Sequence, residues 1–272
     1  MKKITTLTLV TLFLISCSTV PITGRKRVNF VSDAEVLPMA FAQYKGFLEE
    51  NKLSNNKTKT NEIKEVGARI SQAVDRFMRV NGMEAEADSY EWEFNLVEDE
   101  TVNAWCMPGG KVVFYTGILP VCKNTDGIAA VMGHEVAHAF AKHGQERMST
   151  GQLQQLGGVA VAVATANKSP EQQQIWNTAY GIGSQVGVML PFSRTHEREA
   201  DRLGLVFMIM AGYNGEEAAE VWVRMSELAG GQAPPEILST HPSNESRIED
   251  LKAYLPQAKA YAEKFNAEAV SN

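Results

Sequence analysis

Two histidines four residues apart inside an apolar run constrain this chain more than any other feature. His134-Glu135-Val136-Ala137-His138 lies within residues 127–148, which read as a helix. At 3.6 residues per turn both imidazoles fall on one face, one turn apart, and two ring nitrogens can reach one metal ion. Glu135 is displaced around the helix, where its carboxylate reaches a water beside such an ion instead of the ion itself. The bland alternative is two half-exposed histidines on an amphipathic helix.

A catalytic zinc centre takes three protein ligands and keeps one position open, so the motif demands a third ligand from elsewhere. The metzincin pattern fails to supply it, because it requires glycine at 141 and histidine at 144, where this chain has Ala141 and Gly144. His143 is out of step and reads as a surface residue.

The remaining sequence narrows the setting. With 272 residues and 44% hydrophobic content the chain can bury a real core, which excludes a disordered or collagen-like protein. Lys and Arg number 26 against 32 Asp and Glu, for a net charge of -6, and no basic block is present, so a nucleic-acid partner is excluded from the expectations. Lys2 and Lys3, the apolar stretch Ile4–Ile15 and the sequence Leu14-Ile15-Ser16-Cys17 resemble a bacterial lipoprotein signal, with cleavage before Cys17 and acylation of that cysteine. By resemblance to Gram-negative sorting rules, Ser18 in place of Asp favours the outer membrane, facing the periplasm. In that oxidising compartment Cys106 and Cys122 are candidates either for one disulfide, worth about 3 kcal/mol, or for two buried thiols.

Residues 18–31, with Pro21, Gly24 and Arg25-Lys26-Arg27, read as a solvated tether. Ser32 and Glu35 form a capping box that starts a helix reaching about Glu50, and Asn51–Thr60 reads as a linker. Ile63, Val66, Ile70, Val74 and Phe77 recur at three- and four-residue spacing, the mark of a long amphipathic helix. Between Tyr90 and Thr116 the period becomes two, with aromatic and β-branched residues around the turn Pro108-Gly109-Gly110, which predicts one small sheet of antiparallel type. Residues 127–148, 193–211, 215–229 and 243–269 are predicted helices, with Gly212 as a cap and Pro256 as a break. Leu156–Ala166 is apolar but too short to cross a bilayer, and reads as a packed helix or a flap. The fold class is α+β, dominated by helix.

Ser193-Arg194-Thr195-His196-Glu197-Arg198-Glu199-Ala200-Asp201 opens a later helix. Together with the histidine motif it resembles the zinc metalloendopeptidases that include the CAAX-prenyl endopeptidase, the mitochondrial Oma-type protease and the BepA-like and LoiP-like bacterial envelope proteases. The shared elements are a His-Glu-x-x-His helix and a following Ser-Arg-x-x-Glu-x-x-Ala-Asp. The resemblance implies a zincin-like domain with one Zn2+ per chain, held by His134, His138 and Glu197, with Glu135 as general base and Asp201 orienting a ligand histidine. His196 and Glu199 then read as surface or rim residues. Asn103-Ala104-Trp105, the turn and Tyr115-Thr116-Gly117 match the family's edge strand beside the metal, which would hold an extended peptide by main-chain hydrogen bonds; otherwise it is a plain hairpin. His241-Pro242 and Arg247-Ile248 match a late element, in which His241 stabilises the oxyanion or, in some relatives, fills the open metal position. Arg247 either supports the site or serves as a structural helix residue.

The implied organisation is a signal peptide over 1–16, a lipidated tether and N-terminal helix over 17–55, and a zinc metallopeptidase domain over 56–272. The implied function is a membrane-anchored zinc metalloendopeptidase acting on misfolded envelope proteins, with polypeptide substrates, a membrane contact through Cys17 and envelope assembly machinery as a partner. The alternative is a chaperone or adaptor lipoprotein on the same zinc fold with gated proteolysis.

Overall fold

The computed structural model describes residues 17–230, 237–238, 241 and 245–271. The signal segment 1–16 and Pro242 lie outside the described residues. The chain divides into two compact units, one of residues 1–36 with 142–197 and one of residues 37–141 with 198–272.

In the first unit the expected tether is in fact ordered. Strand β1 (Cys17–Thr19) pairs antiparallel with β2 (Lys26–Val28), Ser18 opposite Arg27. Arg27 is buried and its Nε donates to Ser18 Oγ at 2.7 Å, so the basic cluster is not a solvated stretch. Arg25 forks onto Glu146, with Nη1 and Nη2 at 2.9 and 2.7 Å from its two oxygens. The same carboxylate lies 3.0 Å from His196 Nε2, and the His196 ring stacks on His143 at 4.1 Å. His143 and His196 are therefore interior, against the expectation of surface positions, and Glu199 too is buried. Burial raises the Glu146 carboxyl, but His196 and Arg25 outweigh it and hold the group at about 2.

Glu146 belongs to the long helix His143–Thr165, which an antiparallel helix, Pro170–Ser184, follows after a short turn. The former starts anew instead of continuing the 127–148 helix. Lys142 adopts a left-handed conformation, φ 56°, which turns the chain; its ammonium donates to Asp33 Oδ2 at 2.6 Å, offsetting the roughly 1–2 kcal/mol that this conformation costs.

The second unit is built on α1 (Asp33–Glu50), which starts in the first unit, and α2 (Lys57–Val80). Asn56 Oδ1 caps α2 by accepting from Lys59 N–H at 3.1 Å, so this helix begins inside the predicted linker. The stripe Ile63, Val66, Ile70, Val74 and Phe77 is buried as its spacing predicts. After a single turn, α3 (Glu84–Ala87), come β3 (Glu93–Val97), β4 (Ala104–Met107) and β5 (Lys111–Tyr115), in the order β3-β5-β4. The β4–β5 hairpin is antiparallel as expected, but β3 joins β5 in parallel, so the sheet is mixed. Gly109 and Gly110 both have φ above 80°, the conformation that a tight hairpin turn asks of glycine.

Helices α4 (Leu119–Cys122) and α5 (Thr125–Phe140) follow. In the first unit, α6 is His143–Thr165 and α7 is Pro170–Ser184; α8 (Leu190–Met210) crosses from the first unit into the second. Helices α9 (Glu217–Ala229) and α10 (Glu245–Ser271) complete the second unit. Phe77, Phe140 and Phe207, from α2, α5 and α8, meet edge to face at 5.1–6.1 Å between ring centres. Each fully buried ring stabilises by about 1.5–3 kcal/mol, and this cluster locks the three helices together. Gly212 caps α8 in the left-handed conformation as predicted. Pro256 does not break α10: it sits on an exposed turn, where the carbonyl that loses its amide partner is open to solvent.

Candidate metal centre

Helix α5 begins where Asn124 Oδ1 accepts the N–H of Gly127 at 2.8 Å, and every residue from Gly127 to Phe140 is buried. The imidazole pair is therefore inside the protein. His134 Nε2 and His138 Nε2 are 3.1 Å apart, and His134 Nε2 lies 3.2 Å from His241 Nδ1. Two nitrogens bound to one tetrahedral zinc ion at about 2.0–2.1 Å would lie about 3.3 Å from each other. The three rings thus hold the spacing of ligands that share an ion.

Glu197 completes the set. It is the last residue of the first unit, but α8 runs unbroken through it, so the helix itself sets Glu197 one turn before Asp201 on the same face. One ligand atom each from His134, His138, Glu197 and His241 fall within 4.8 Å of one another. Three imidazoles and one carboxylate, with His134, His138 and Glu197 buried and His241 partly so, are the donor chemistry of zinc.

Asp201 decides which nitrogen of His134 faces the cluster. Its Oδ1 is 3.0 Å from His134 Nδ1, so Nδ1 carries the proton and Nε2 presents its lone pair. Arg247 holds the carboxylate in turn, Nε to Oδ2 at 2.8 Å and Nη2 to Oδ1 at 2.7 Å, and Nη1 reaches the His241 carbonyl at 3.4 Å. Burial raises the Asp201 carboxyl, but Arg247 and His134 outweigh it and leave the group below its ordinary value. Glu135, also buried, points around the helix; its Oε1 stands 3.7 Å from His241 Nε2.

The expected peptide strand is β4, at the edge of the sheet and packed along α5. Ala104 is buried, and Asn103 Oδ1 accepts from the Ala104 amide at 2.9 Å. Trp105 turns the other way, edge-on to Phe47 at 4.9 Å and donating to Tyr115 Oη at 3.2 Å. Its side chain is core packing, which leaves main-chain groups for any peptide. Cys106 and Cys122 are both free thiols in this structure. Cys106 Sγ turns toward the Met107 carbonyl, while burial pushes the Cys122 thiol up to about 12.

Two features escaped the sequence reading. Trp222 on α9 lies under the site, 5.1 Å edge-on from the His134 ring and 4.2 Å beneath the Arg247 guanidinium. Gly133 and Gly204 let α5 and α8 touch backbone to backbone: a Cβ on Gly204 would come 2.7 Å from His134 N. The signal for this pair was a glycine in the middle of each helix, costing about 1 kcal/mol unless packing requires it.

Known proteins share much of this sequence. The mitochondrial metalloendopeptidase OMA1 of Schizosaccharomyces pombe is 34% identical over 248 residues, 90% of this chain and 68% of its own length. The Saccharomyces cerevisiae OMA1 is 35% identical over 195 residues, 68% of this chain and 53% of its own. The beta-barrel assembly-enhancing protease of Escherichia coli is 29% identical over 169 residues, 59% of this chain and 34% of its own. This chain thus spans between a third and two thirds of these relatives. The family model for peptidase family M48 covers residues 64–255, taking in both motif helices, β4 and Arg247. A histidine pair, a carboxylate one helix away and a matched stretch of that length leave one assignment: the chain belongs to peptidase family M48, a family of metalloendopeptidases.

Proposed function

We propose that this chain is a zinc-dependent endopeptidase of the bacterial envelope, anchored through an acylated Cys17 and cleaving misfolded envelope proteins. The observation that carries the chemistry is the convergence of His134, His138, Glu197 and His241 within 4.8 Å, with Glu135 beside them. The first three residues would hold one zinc ion, which when bound supplies a Lewis acid to polarise the scissile carbonyl and make water acidic near neutral pH. Glu135 takes the proton from the attacking water and returns it to the leaving amine. Asp201 and Arg247 keep His134 in the tautomer that binds. The β4 edge holds the substrate in extended form by its backbone, which suits a protease that reads unfolded chain instead of particular side chains.

His241 has two parts to play. Its Nδ1 lies 3.2 Å from His134 Nε2, where it could serve as a fourth donor to a bound ion, and a peptide carbonyl would then approach only after the ring withdraws. Once displaced, the imidazole donates to the developing oxyanion, where loss of one such donor costs about 3 kcal/mol. The lipoprotein-like start at Cys17, and the β-barrel assembly in the name of the Escherichia coli relative, support the location and the substrate class.

The test is cleavage of casein by the purified chain with and without a chelator, alongside Glu135→Gln. The variant is expected to bind zinc as tightly as the wild type and to cut nothing. Wild-type cleavage by Glu135→Gln would remove Glu135 from its role; full complementation of a deletion strain by the inactive variant would favour the chaperone reading.

A further inference from the structure

We infer that the α6–α7 hairpin docks on the surface of a lipid bilayer without spanning it. After its first two turns α6 turns its apolar side chains to solvent, and α7 buries none of its residues. Val163 is 71% exposed, Ile175 66% and Trp176 56%, and Leu156, Val159 and Ile182 are exposed as well. Water-facing helices normally carry charge at a quarter or more of their positions. Here the only charged residues between Arg147 and Arg194 are Lys168 and Glu171, both at the turn between the two helices. Such a surface lies far beyond the scattered apolar residues of an ordinary exterior.

The hairpin is held as one piece. Tyr180 Oη donates to the Gln154 carbonyl and Gln154 Nε2 to Ser184 Oγ, each at 2.8 Å. The exposed apolar part of α6, Leu153 to Val163, is about 15 Å long, half the hydrocarbon thickness of a bilayer. Among the described residues no helix is long and apolar enough to cross a membrane. Apolar side chains alternating with Gln and Asn, with an exposed tryptophan, fit the boundary between headgroups and acyl chains.

The occupant follows from where the chain starts. Cys17 opens β1 in the same compact unit as the hairpin, and the residues before it are two lysines and an apolar run. Whether that run is retained or, as proposed above, replaced by acyl chains on Cys17, it brings this unit to a bilayer; the inference rests on that reading only for this step. The exposed apolar residues, Leu156, Val159 and Val163 on α6 with Ile175, Trp176 and Ile182 on α7, are spread along both helices on the sides that do not pack together, which suits a continuous medium.

The experiment uses the full chain with vesicles of phosphatidylethanolamine and phosphatidylglycerol whose acyl chains carry bromine, a contact quencher of indole fluorescence. The wild type should lose part of its tryptophan emission relative to unbrominated vesicles, and Trp176→Phe should abolish that loss, with Trp92, Trp105 and Trp222 as internal references. The variant Val159→Glu/Ile175→Glu should also escape quenching while cleaving casein at the wild-type rate. Equal quenching in wild type and Trp176→Phe, or none in either, overturns the inference. So does a dimer in sedimentation that Ile175→Glu dissolves while bromine leaves Trp176 untouched. Mass analysis of Cys17 separates the two readings: an unmodified Cys17 with Trp176 quenched sinks the acyl anchor alone, and an acylated Cys17 without quenching sinks the docking alone.

Discussion

Replacing Arg247 with Met keeps most of its volume and removes its charge, which isolates what the guanidinium does for the site. In the native protein Arg247 and Asp201 are each under 5% exposed in their side chains and joined by two bonds of 2.7 and 2.8 Å. Removing one partner of a buried pair leaves the other charge without compensation, at a cost of about 3–5 kcal/mol. A domain has about 5–15 kcal/mol in total, so the variant folds, with a melting temperature lowered by roughly 6–20 °C. Asp201, no longer clamped, ceases to fix the tautomer of His134, and zinc affinity falls about 10–100-fold. Two assays read these effects apart: melting of the metal-free protein, and competition for zinc against a chromophoric chelator. Adding Asp201→Asn removes the uncompensated charge, so the double variant should recover most of the lost melting temperature and none of the lost zinc affinity. A double variant no more stable than Arg247→Met, or an Arg247→Met protein that binds zinc like the wild type, would refute the reasoning.

The helix contact behind the site is equally exposed to test. Gly204→Ala places a methyl 2.7 Å from the backbone of Gly133 and His134, which should destabilise by about 1–3 kcal/mol and lower kcat/KM about 100-fold with secondary structure unchanged, as checked by circular dichroism and peptide kinetics. The Arg25–Glu146–His196 cluster makes a pH prediction. The Glu146 carboxyl lies at about 2 in the folded chain against an ordinary 4.5, so its stabilisation is complete above about pH 4.5 and is lost as pH falls toward 2. Arg25→Met should therefore melt earlier than the wild type at pH 7, by the equivalent of about 1.5–3 kcal/mol, with the difference closing on acidification; a gap that is constant with pH would show that the ion pair is not its source.

The metal-binding half of the site was legible because its geometry is local. His134 and His138 are one turn apart on one helix, as are Glu197 and Asp201 on another, and helical periodicity alone puts each pair on one face. The long stripe on α2 was legible for the same reason, since every third or fourth residue faces one core. What failed is what depends on partners distant in sequence. His143 and His196 look like polar residues of exposed helix faces, yet they are interior because Arg25, over a hundred residues from Glu146, reaches it and gives a buried carboxylate its countercharge. Arg25-Lys26-Arg27 read as a solvated cluster for the converse reason: nothing in a run of basic residues shows where its acid lies.

The same distinction explains why Trp222, Gly133 and Gly204 left so little trace. A ligand must be one of a few residue types at a set spacing, so chemistry restricts the alphabet. A residue that supports a ligand is restricted only by shape: Trp222 had to be flat and large, and the two glycines had to be absent of side chain. Such requirements come from the facing helix, whose position no local pattern encodes. The tightness of that crossing is nonetheless what brings Asp201 within 3.0 Å of His134, because the aspartate projects from α8 across the very gap that Gly204 narrows. The ring tautomer on α5 therefore depends on a missing methyl on α8, three residues beyond the carboxylate that selects it.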